Sequence, residues 1–272
     1  MRRCSLLACS TLAATAAAIR CSGIDIRMLS DSSFLGVAIP PLPSGESLSI
    51  LEGLNLVDDA TAAEEELADL LSVGGTMWPC AAALCQWLSA SQAEVQGASV
   101  LELGGGTGAC GLFAAGLGAS RVLLTDGSAG LLTLQAQNLQ ANAALLPEGA
   151  HVEVQQLLWD RTPPPPGPWD LVIGSDVTFM YDPEAHAALA ATLGAMLRSP
   201  DPLTTAAPPR VLLAHEHRNR GPGDAPARWD ANDETLRRFQ AAAREHALRV
   251  EQLRAERVGT HQVSIIEVLR EE

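Results

Sequence analysis

The chain has 272 residues, of which 47% are apolar, and its formal net charge at pH 7 is −14. This length and apolar content suffice for one large domain with a sizeable core. The acidic balance disfavours nucleic acid as the principal partner, because phosphate backbones are bound through clustered basic residues. All 18 basic residues are arginine, so the chain has no lysine of its own to modify.

Residues 1–24 contain three arginines, several serines and alanines, and no acidic residue. This composition fits an organelle transit peptide, a secretory signal or an untargeted extension. The apolar run over residues 6–19 is too short to span a bilayer, so we expect no membrane association. The six cysteines form no CxxC pair, which predicts a reduced, intracellular protein of the cytoplasm or an organelle.

Residues 25–73 show little periodicity and are predicted to be an N-terminal extension that packs on the core. Within them, "TAAEEELADLL" predicts a short helix with an acidic first turn. The main domain is predicted over residues 74–272. It opens with "GGTMWPCAAALCQWL", a loop followed by a helix that has Pro79 in its first turn.

From Ser99 onward, apolar strands alternate with helices. The predicted strands are Val100–Leu103, "RVLLTD", "HVEVQQLLW", "DLVIGSD", "RVLLAHEH" and a closing hairpin of "RVEQLRAERV" and "HQVSIIEVL". Helices are predicted after the glycine-rich loop, in "SAGLLTLQAQNLQANAALL", over Pro183–Leu197 and in "DETLRRFQAAAREHAL". This order predicts an α/β fold with a doubly wound, mostly parallel seven-stranded sheet and an antiparallel C-terminal hairpin.

The glycine frame Gly104-x-Gly106-x-Gly108 follows the first strand of this sheet. Such a frame can cradle a dinucleotide, cradle a nucleoside or simply turn the backbone tightly. Ala109 stands where the dinucleotide fingerprint has its third glycine, and alanine is an allowed variant there. The frame alone therefore leaves NAD binding open.

Further residues at the strand ends favour a nucleoside with an amino-acid tail. Glu102 would repel a pyrophosphate but suits a cationic group, and Asp126 can accept hydrogen bonds from both ribose hydroxyls. The third strand ends in "LLWD" and the fourth in "GSD", which places Trp159 beside an adenine and Asp176 over the reacting atom. The carboxyl ends of parallel strands are where such sheets bind ligands.

The sequence resembles the seven-β-strand (class I) methyltransferases, in particular their lysine methyltransferase-like family 16 branch. The resemblance lies in the Trp-Pro helix, the glycine motif, "LLWD" and "WDLVIGSDVTFMYD", within about residues 74–270. It implies S-adenosyl-L-methionine as the methyl donor and assigns Asp176 and Phe179 to the target side chain. Many relatives have tyrosine where Phe179 stands. The residues that the resemblance places around the cofactor are Trp78, Gly104, Gly105, Gly106, Asp126, Trp159 and Ser175.

Several of these residues also have plainer structural interpretations. Trp78 and Trp159 could be core aromatics, and Glu102 could pair with an arginine. Asp126 could cap the helix that begins near Ser128, and Asp176 could cap a turn before Pro183.

Two other polar positions are given structural roles. Asn138 could bond only to the backbone of its own helix. His215 and His217 would share a strand face, but no third ligand has convincing spacing, so no metal site is predicted.

The sequence therefore predicts a monomeric, S-adenosylmethionine-dependent protein N-methyltransferase that modifies lysine side chains of a protein substrate. The alternatives are a methyltransferase for a small molecule or a protein histidine, a cofactor-binding scaffold without catalysis, and an NAD-linked oxidoreductase.

Overall fold

The computed structural model describes residues 19–21, 24–28, 37–56, 73–180, 182–198, 207–218 and 233–271. The helix predicted for "TAAEEELADLL" and most of the candidate targeting segment lie outside these ranges. The division of the chain at residues 24 and 73 stays a prediction.

The main sheet has seven strands: β4 (Ser99–Glu102), β5 (Arg121–Asp126), β6 (His151–Gln156), β7 (Leu171–Ser175), β8 (Arg210–Glu216), β9 (Leu248–Val258) and β10 (His261–Arg270). Their order across the sheet is β6-β5-β4-β7-β8-β10-β9. The first five in this order pair in parallel, and β10 runs antiparallel to both β8 and β9. The predicted fold class is confirmed. The chain winds outward in both directions from β4 and β7, and this switch point is where such sheets bind ligands.

Helices cover both faces of the sheet. They are α1 (Pro79–Ala90), α2 (Gln92–Val95), α3 (Ala109–Gly116), α4 (Ala129–Asn142), α5 (Pro183–Leu197) and α6 (Glu234–Glu245), with a 3₁₀ turn at Ala143–Leu145. Alternate strand residues enter opposite cores, as the period of two in a strand requires. In β7, Ile173 packs into the core that contains α1 and α3, whereas Val172 packs into the core that contains α5 and α6. Among the helices of the described residues, none has the length and apolarity that a bilayer crossing needs.

The N-terminal part contains a second sheet that the sequence patterns did not predict. Strands β1 (Ile19–Cys21), β2 (Ile24–Met28) and β3 (Leu51–Leu56) pair antiparallel in that order. These strands are short, and the pairing of β2 with β3 joins segments that are distant along the chain, so local periodicity carries little signal for them. Leu42 and Ile50 from this part are buried in the core that contains α1 and α3.

One predicted strand ends earlier than expected. "HVEVQQLLW" was expected to be extended to Trp159, but β6 ends at Gln156. The backbone N–H of Leu157 still donates to the Asp126 carbonyl at 3.0 Å, after which the chain turns. This turn brings Trp159 over the carboxyl edge of the sheet instead of along it.

Candidate active site

A cavity of about 880 Å³ lies at the carboxyl edge of the sheet, beside the switch point between β4 and β7. The structure brings every residue predicted for the site to its wall. These are Trp78, Glu102, Gly104, Gly105, Gly106, Asp126, Trp159, Ser175, Asp176 and Phe179. Their roles stay predictions, but their juxtaposition is a feature of the fold.

The glycine turn requires glycine for two separate reasons. Gly104 and Gly106 have φ angles of 56° and 53°, in the left-handed region that side chains with a Cβ rarely adopt. A Cβ on Gly106 would also lie 2.2 Å from the Gly74 carbonyl oxygen. The turn therefore presents bare backbone to the cavity, as close approach to a ligand demands.

Glu102 ends β4 beneath this turn and is fully buried. Its Oε2 accepts a hydrogen bond from the Gly111 N–H at 3.0 Å, in the first turn of α3. Its Oε1 has no hydrogen-bond partner among the described residues. The partner of Glu102 is therefore a backbone N–H group and not the arginine that the plainer interpretation had suggested. Burial raises the pKa of Glu102 to about 8, a rise to which the Asp126 carboxylate adds and which the Gly111 N–H opposes.

Asp126 ends β5 and holds two backbone segments with its two carboxylate oxygens. Oδ2 accepts from the Gly106 N–H and Oδ1 from the Ser128 N–H, both at 3.0 Å. Asp126 is not the N-cap of α4, which is Ser128, although one of its oxygens accepts from the backbone that leads into this helix. Each oxygen keeps a second acceptor position for a ligand hydroxyl. Burial raises the pKa of Asp126, whereas these N–H donors oppose the rise.

Trp78 and Trp159 are half-buried wall residues and not core aromatics. Trp78 precedes α1, and its indole Nε1 donates to the Val73 carbonyl at 2.8 Å. Trp159 lies so close to the glycine turn that a Cβ on Gly104 would be 3.1 Å from its ring. The two indoles therefore form apolar walls with fixed positions.

Asp176 follows β7 in a left-handed conformation, with φ of 59°, and is only 4% exposed. Arg218 donates to Asp176 through both terminal nitrogens, with 3.1 Å between Nη1 and Oδ1. The Cys80 thiol contacts the same Oδ1 at 3.6 Å. Burial raises the pKa of Asp176, and the Arg218 guanidinium opposes the rise. Asp176 does not cap a turn before Pro183, because Asp182 caps α5 through the Glu184 N–H.

His215 in β8 and His217 just after it do gain a third polar partner, which sequence spacing did not reveal. Asp233, the N-cap of α6, lies within hydrogen-bond distance of His215 Nε2 (2.8 Å) and His217 Nδ1 (2.9 Å). The other ring nitrogens bond to Thr178 and Ser264, both at 2.7 Å. The three closest ligand atoms lie within 4.8 Å of one another, as a metal site would need. Because all four ring nitrogens have partners, the geometry favours a hydrogen-bond network.

Arg218 and Asn138 also acquire roles that the sequence did not indicate. Asn138 bonds across the fold, with its amide oxygen 2.6 Å from the Leu51 nitrogen and its amide nitrogen 2.8 Å from the Thr107 carbonyl. It therefore ties α4 to β3 and to the glycine turn, and not to its own helix. The contact of Arg218 with Asp176 and those of Asn138 with Leu51 and Thr107 all join segments that are distant in sequence, which local patterns do not encode.

A switch-point cavity, a glycine turn and an acidic residue at the end of the neighbouring strand are typical of α/β proteins that bind nucleotides or nucleosides. The sequence model of the family described as lysine methyltransferase matches residues 57–222, more than half of the chain. The chain belongs to this family, and the predicted family resemblance is confirmed.

Individual curated relatives match over shorter spans. Protein N-lysine methyltransferase METTL21A of Danio rerio is 36% identical over 127 residues, which are 45% of this chain and 55% of that protein. EEF1A lysine methyltransferase 3 of Mus musculus is 34% identical over 40% of this chain and 46% of its own length. Histone-arginine methyltransferase METTL23 of Mus musculus is 37% identical over 44% of this chain and 46% of its own. The chain thus spans about half the length of the curated relatives that it matches.

Proposed function

We propose that the chain is an S-adenosylmethionine-dependent protein N-methyltransferase that modifies lysine side chains. The observation that carries this proposal is the switch-point cavity in a member of the lysine methyltransferase family. One part of its wall is a glycine turn with Asp126, and another is a buried aspartate beside two aromatic rings. Two relatives, protein N-lysine methyltransferase METTL21A and EEF1A lysine methyltransferase 3, support lysine as the acceptor.

The residues present fit the proposed cofactor. Gly104, Gly105 and Gly106 line the cavity without side chains, so a ligand can approach the backbone of the turn closely. Asp126 keeps acceptor positions for ribose hydroxyls, and the buried Oε1 of Glu102 is unpaired among the described residues. Trp159 would lie against the adenine, and Ser175, at the end of β7, would contact the cofactor. When bound, S-adenosylmethionine supplies a methyl group activated on a sulfonium.

The other residues of the site would hold and orient the acceptor. The Asp176 carboxylate can bind an incoming ammonium, and the Phe179 ring adds cation–π attraction of about 0.5 to 2 kcal/mol. Trp78, which the resemblance assigned to the cofactor, also faces this cation position, because the Arg218 guanidinium beside Asp176 lies 5.4 Å from its ring centre. An amine attacks only in its neutral form, and desolvation in this cavity would lower its pKa. Asp176 orients the amine and does not serve as a strong base. Phe179 keeps the aromatic wall without the hydroxyl of tyrosine.

Partner and compartment follow from charge and composition. We propose a basic protein as the substrate and no nucleic acid partner, because the chain carries a net charge of −14. A monomer is proposed as the working state, which light scattering would test. Residues 1–24 remain a proposed organelle transit peptide or an untargeted extension, and sequencing the N-terminus of the mature protein would distinguish the two.

The test uses labelled S-adenosylmethionine and a lysate of the source organism, with the wild type compared to Asp176→Asn. We expect the variant to lose about 10²-fold or more of the transfer rate, since positioning supplies much of the catalysis. Binding of S-adenosylhomocysteine, measured by calorimetry, should stay within about threefold, or about 0.7 kcal/mol. The matched control is Asp170→Asn, which changes a carboxylate at the other end of β7 that bonds to Ser99.

The outcomes separate the alternatives. Mass spectrometry of the labelled product identifies lysine, arginine, histidine or a small molecule as the acceptor. Cofactor binding without transfer to any acceptor would indicate a scaffold, and binding of NAD in place of S-adenosylhomocysteine would indicate an oxidoreductase. If Asp176→Asn lost both binding and transfer, the role given to Asp176 would be refuted.

A further inference from the structure

Arg218 occupies a cage whose chemistry is that of a cation-binding site. Its guanidinium carbon lies 5.4 Å from the centre of the Trp78 ring and 4.8 Å from the centre of the Phe179 ring. Its terminal nitrogens bond to both oxygens of Asp176, and Nη2 also lies 3.1 Å from Oε2 of Glu216. Two carboxylates and two aromatic rings thus surround one positive charge.

The same groups are the ones that the proposed reaction needs for its acceptor. Asp176, Trp78 and Phe179 all line the cavity, and Arg218 lies against each of them. Because Asp176 is 4% exposed and both of its oxygens are bonded to Arg218, a substrate ammonium has no free approach to this carboxylate. The Arg218 side chain itself is 27% exposed, so solvent reaches it from outside.

We propose that Arg218 is an internal occupant of the acceptor site, and that a cationic substrate side chain binds by displacing it. This inference rests on the proposed function and deepens it, since it adds Glu216 to the groups that would hold the substrate cation. Arginine suits such a role. Its guanidinium stays protonated in proteins, so it fills the cage without a lone pair for attack.

A different role for Arg218 gives opposite expectations. If Arg218 were a permanent brace that orients Asp176, its removal would weaken the binding of a cation. If Arg218 occupies the acceptor position, its removal should strengthen that binding. The apparent affinity for a cation is reduced in proportion to the fraction of molecules whose site is free of Arg218.

The first test measures binding of n-butylammonium to protein loaded with S-adenosylhomocysteine, which requires no methyl transfer. We expect Arg218→Ala to bind this cation at least about tenfold more tightly than the wild type. The matched control is Arg121→Ala, because Arg121 also stacks on an indole, Trp169, at 4.4 Å but lies away from the cavity. Equal or weaker binding by Arg218→Ala would overturn the inference.

The second test exploits the absence of lysine from the chain. In Arg218→Lys the introduced lysine is the only one, so methyllysine in the purified variant reports on that position alone. Its amine would give one proton to solvent and form an N–C bond as the C–S bond of S-adenosylmethionine breaks, with S-adenosylhomocysteine released. We expect methyllysine in Arg218→Lys and none in the control Arg121→Lys.

The two tests also separate the inference from the function on which it rests. If Arg218→Lys labelled lysate proteins but not its own lysine, the inference would be wrong and the methyltransferase proposal would stand. If the wild type labelled nothing, the proposed function would fail, and n-butylammonium binding would still decide whether Arg218 occupies a cation site. Unchanged binding of S-adenosylhomocysteine by each variant shows that it has folded.

Discussion

At the scale of single residues, the site depends on backbone conformations and buried charges that few side chains tolerate. The turn at Gly104 and Gly106 uses positive φ angles and a close approach to Gly74. Glu102 beneath it is fully buried, with only one of its oxygens bonded among the described residues. One substitution tests each feature: Gly106→Ala tests the turn, and Glu102→Gln tests the buried carboxyl group.

The first substitution is Gly106→Ala. A positive φ costs an alanine about 1 to 2 kcal/mol, and the collision with the Gly74 carbonyl must also displace the turn. Gly149→Ala is the matched control, because Gly149 has φ of 87° but a Cβ there would meet no atom within 4 Å. We expect both variants to be destabilised, and only Gly106→Ala to lose affinity for S-adenosylhomocysteine, by about tenfold or more. Equal affinity in both variants would show that the turn does not contact the ligand.

The second substitution, Glu102→Gln, tests a pH dependence. Burial raises the pKa of Glu102 from 4.5 to about 8, so the folded protein holds the protonated side chain more readily than the unfolded chain does. The stability of the folded protein therefore falls as the pH rises from 4.5 to about 8. Glutamine cannot ionise and still offers an oxygen to the Gly111 N–H. The variant should therefore gain stability relative to the wild type from pH 5 to pH 8, by at most about 1.4 kcal/mol per pH unit, and level off above. Urea denaturation across this range measures the difference, and a pH-independent difference would contradict the raised pKa.

At the scale of elements, side-chain amides of α4 fix the N-terminal part against the main domain. Asn142 bonds to both backbone groups of Ser49, each at 2.8 Å, and Asn138 does the same for Leu51. The two asparagines thus pair with residues 49–51 much as a neighbouring strand would. The α4 helix, at the edge of the main sheet, consequently links the start of β3 to the glycine turn.

Asn138→Leu tests this link. Leucine has a similar volume but removes the hydrogen bonds of Asn138 to both backbone groups of Leu51 and to the Thr107 carbonyl. We expect the free energy of unfolding to fall by about 3 kcal/mol, because buried polar groups that lose a partner cost about 1 to 3 kcal/mol each. Gln140→Leu, at an exposed position of the same helix, should change it by less than about 0.5 kcal/mol. A loss of similar size in both variants would show that the amide contacts contribute little.

At the scale of the whole molecule, the network around Asp233 joins the C-terminal strands to the acceptor side of the cavity. His215 reaches Thr178, two residues after Asp176, and His217 reaches Ser264 on β10. Burial opposes ionisation of Asp233, but the hydrogen bonds from the two histidines outweigh it and hold its pKa well below the usual range. The network therefore stabilises the fold while the carboxylate is charged.

Asp233→Asn should weaken this network. An asparagine still caps α6, but its single oxygen cannot replace both carboxylate oxygens, which bond to the histidines and to the Leu236 N–H. We expect a loss of about 2 to 4 kcal/mol at pH 7. A carboxylate with a depressed pKa contributes its full stabilisation to the folded protein above the ordinary pKa of 3.8, and this contribution is lost as the pH falls below 3.8. The difference in stability between Asp233→Asn and the wild type should therefore shrink in acid.

Denaturation from pH 7 to pH 2 measures this dependence, which we expect to set in below about pH 4. Asp182→Asn is the matched control, since Asp182 caps α5 from an exposed position. A difference that stayed constant with pH would be evidence against a charged Asp233 at the centre of the network.

The sequence by itself determined the alternation of strands and helices, the glycine turn and the residues gathered at the carboxyl edge. These features depend on local periodicity and on strand ends that a parallel sheet brings together. Only the tertiary structure decided which side chains pair across the fold. Arg218 contacts Asp176, 42 residues earlier in the chain, because β7 and β8 are neighbours in the sheet. Asp233 bonds to two histidines because the start of α6 lies beside the end of β8. Such contacts depend on strand order and side-chain direction, which the spacing of residues along one chain does not specify.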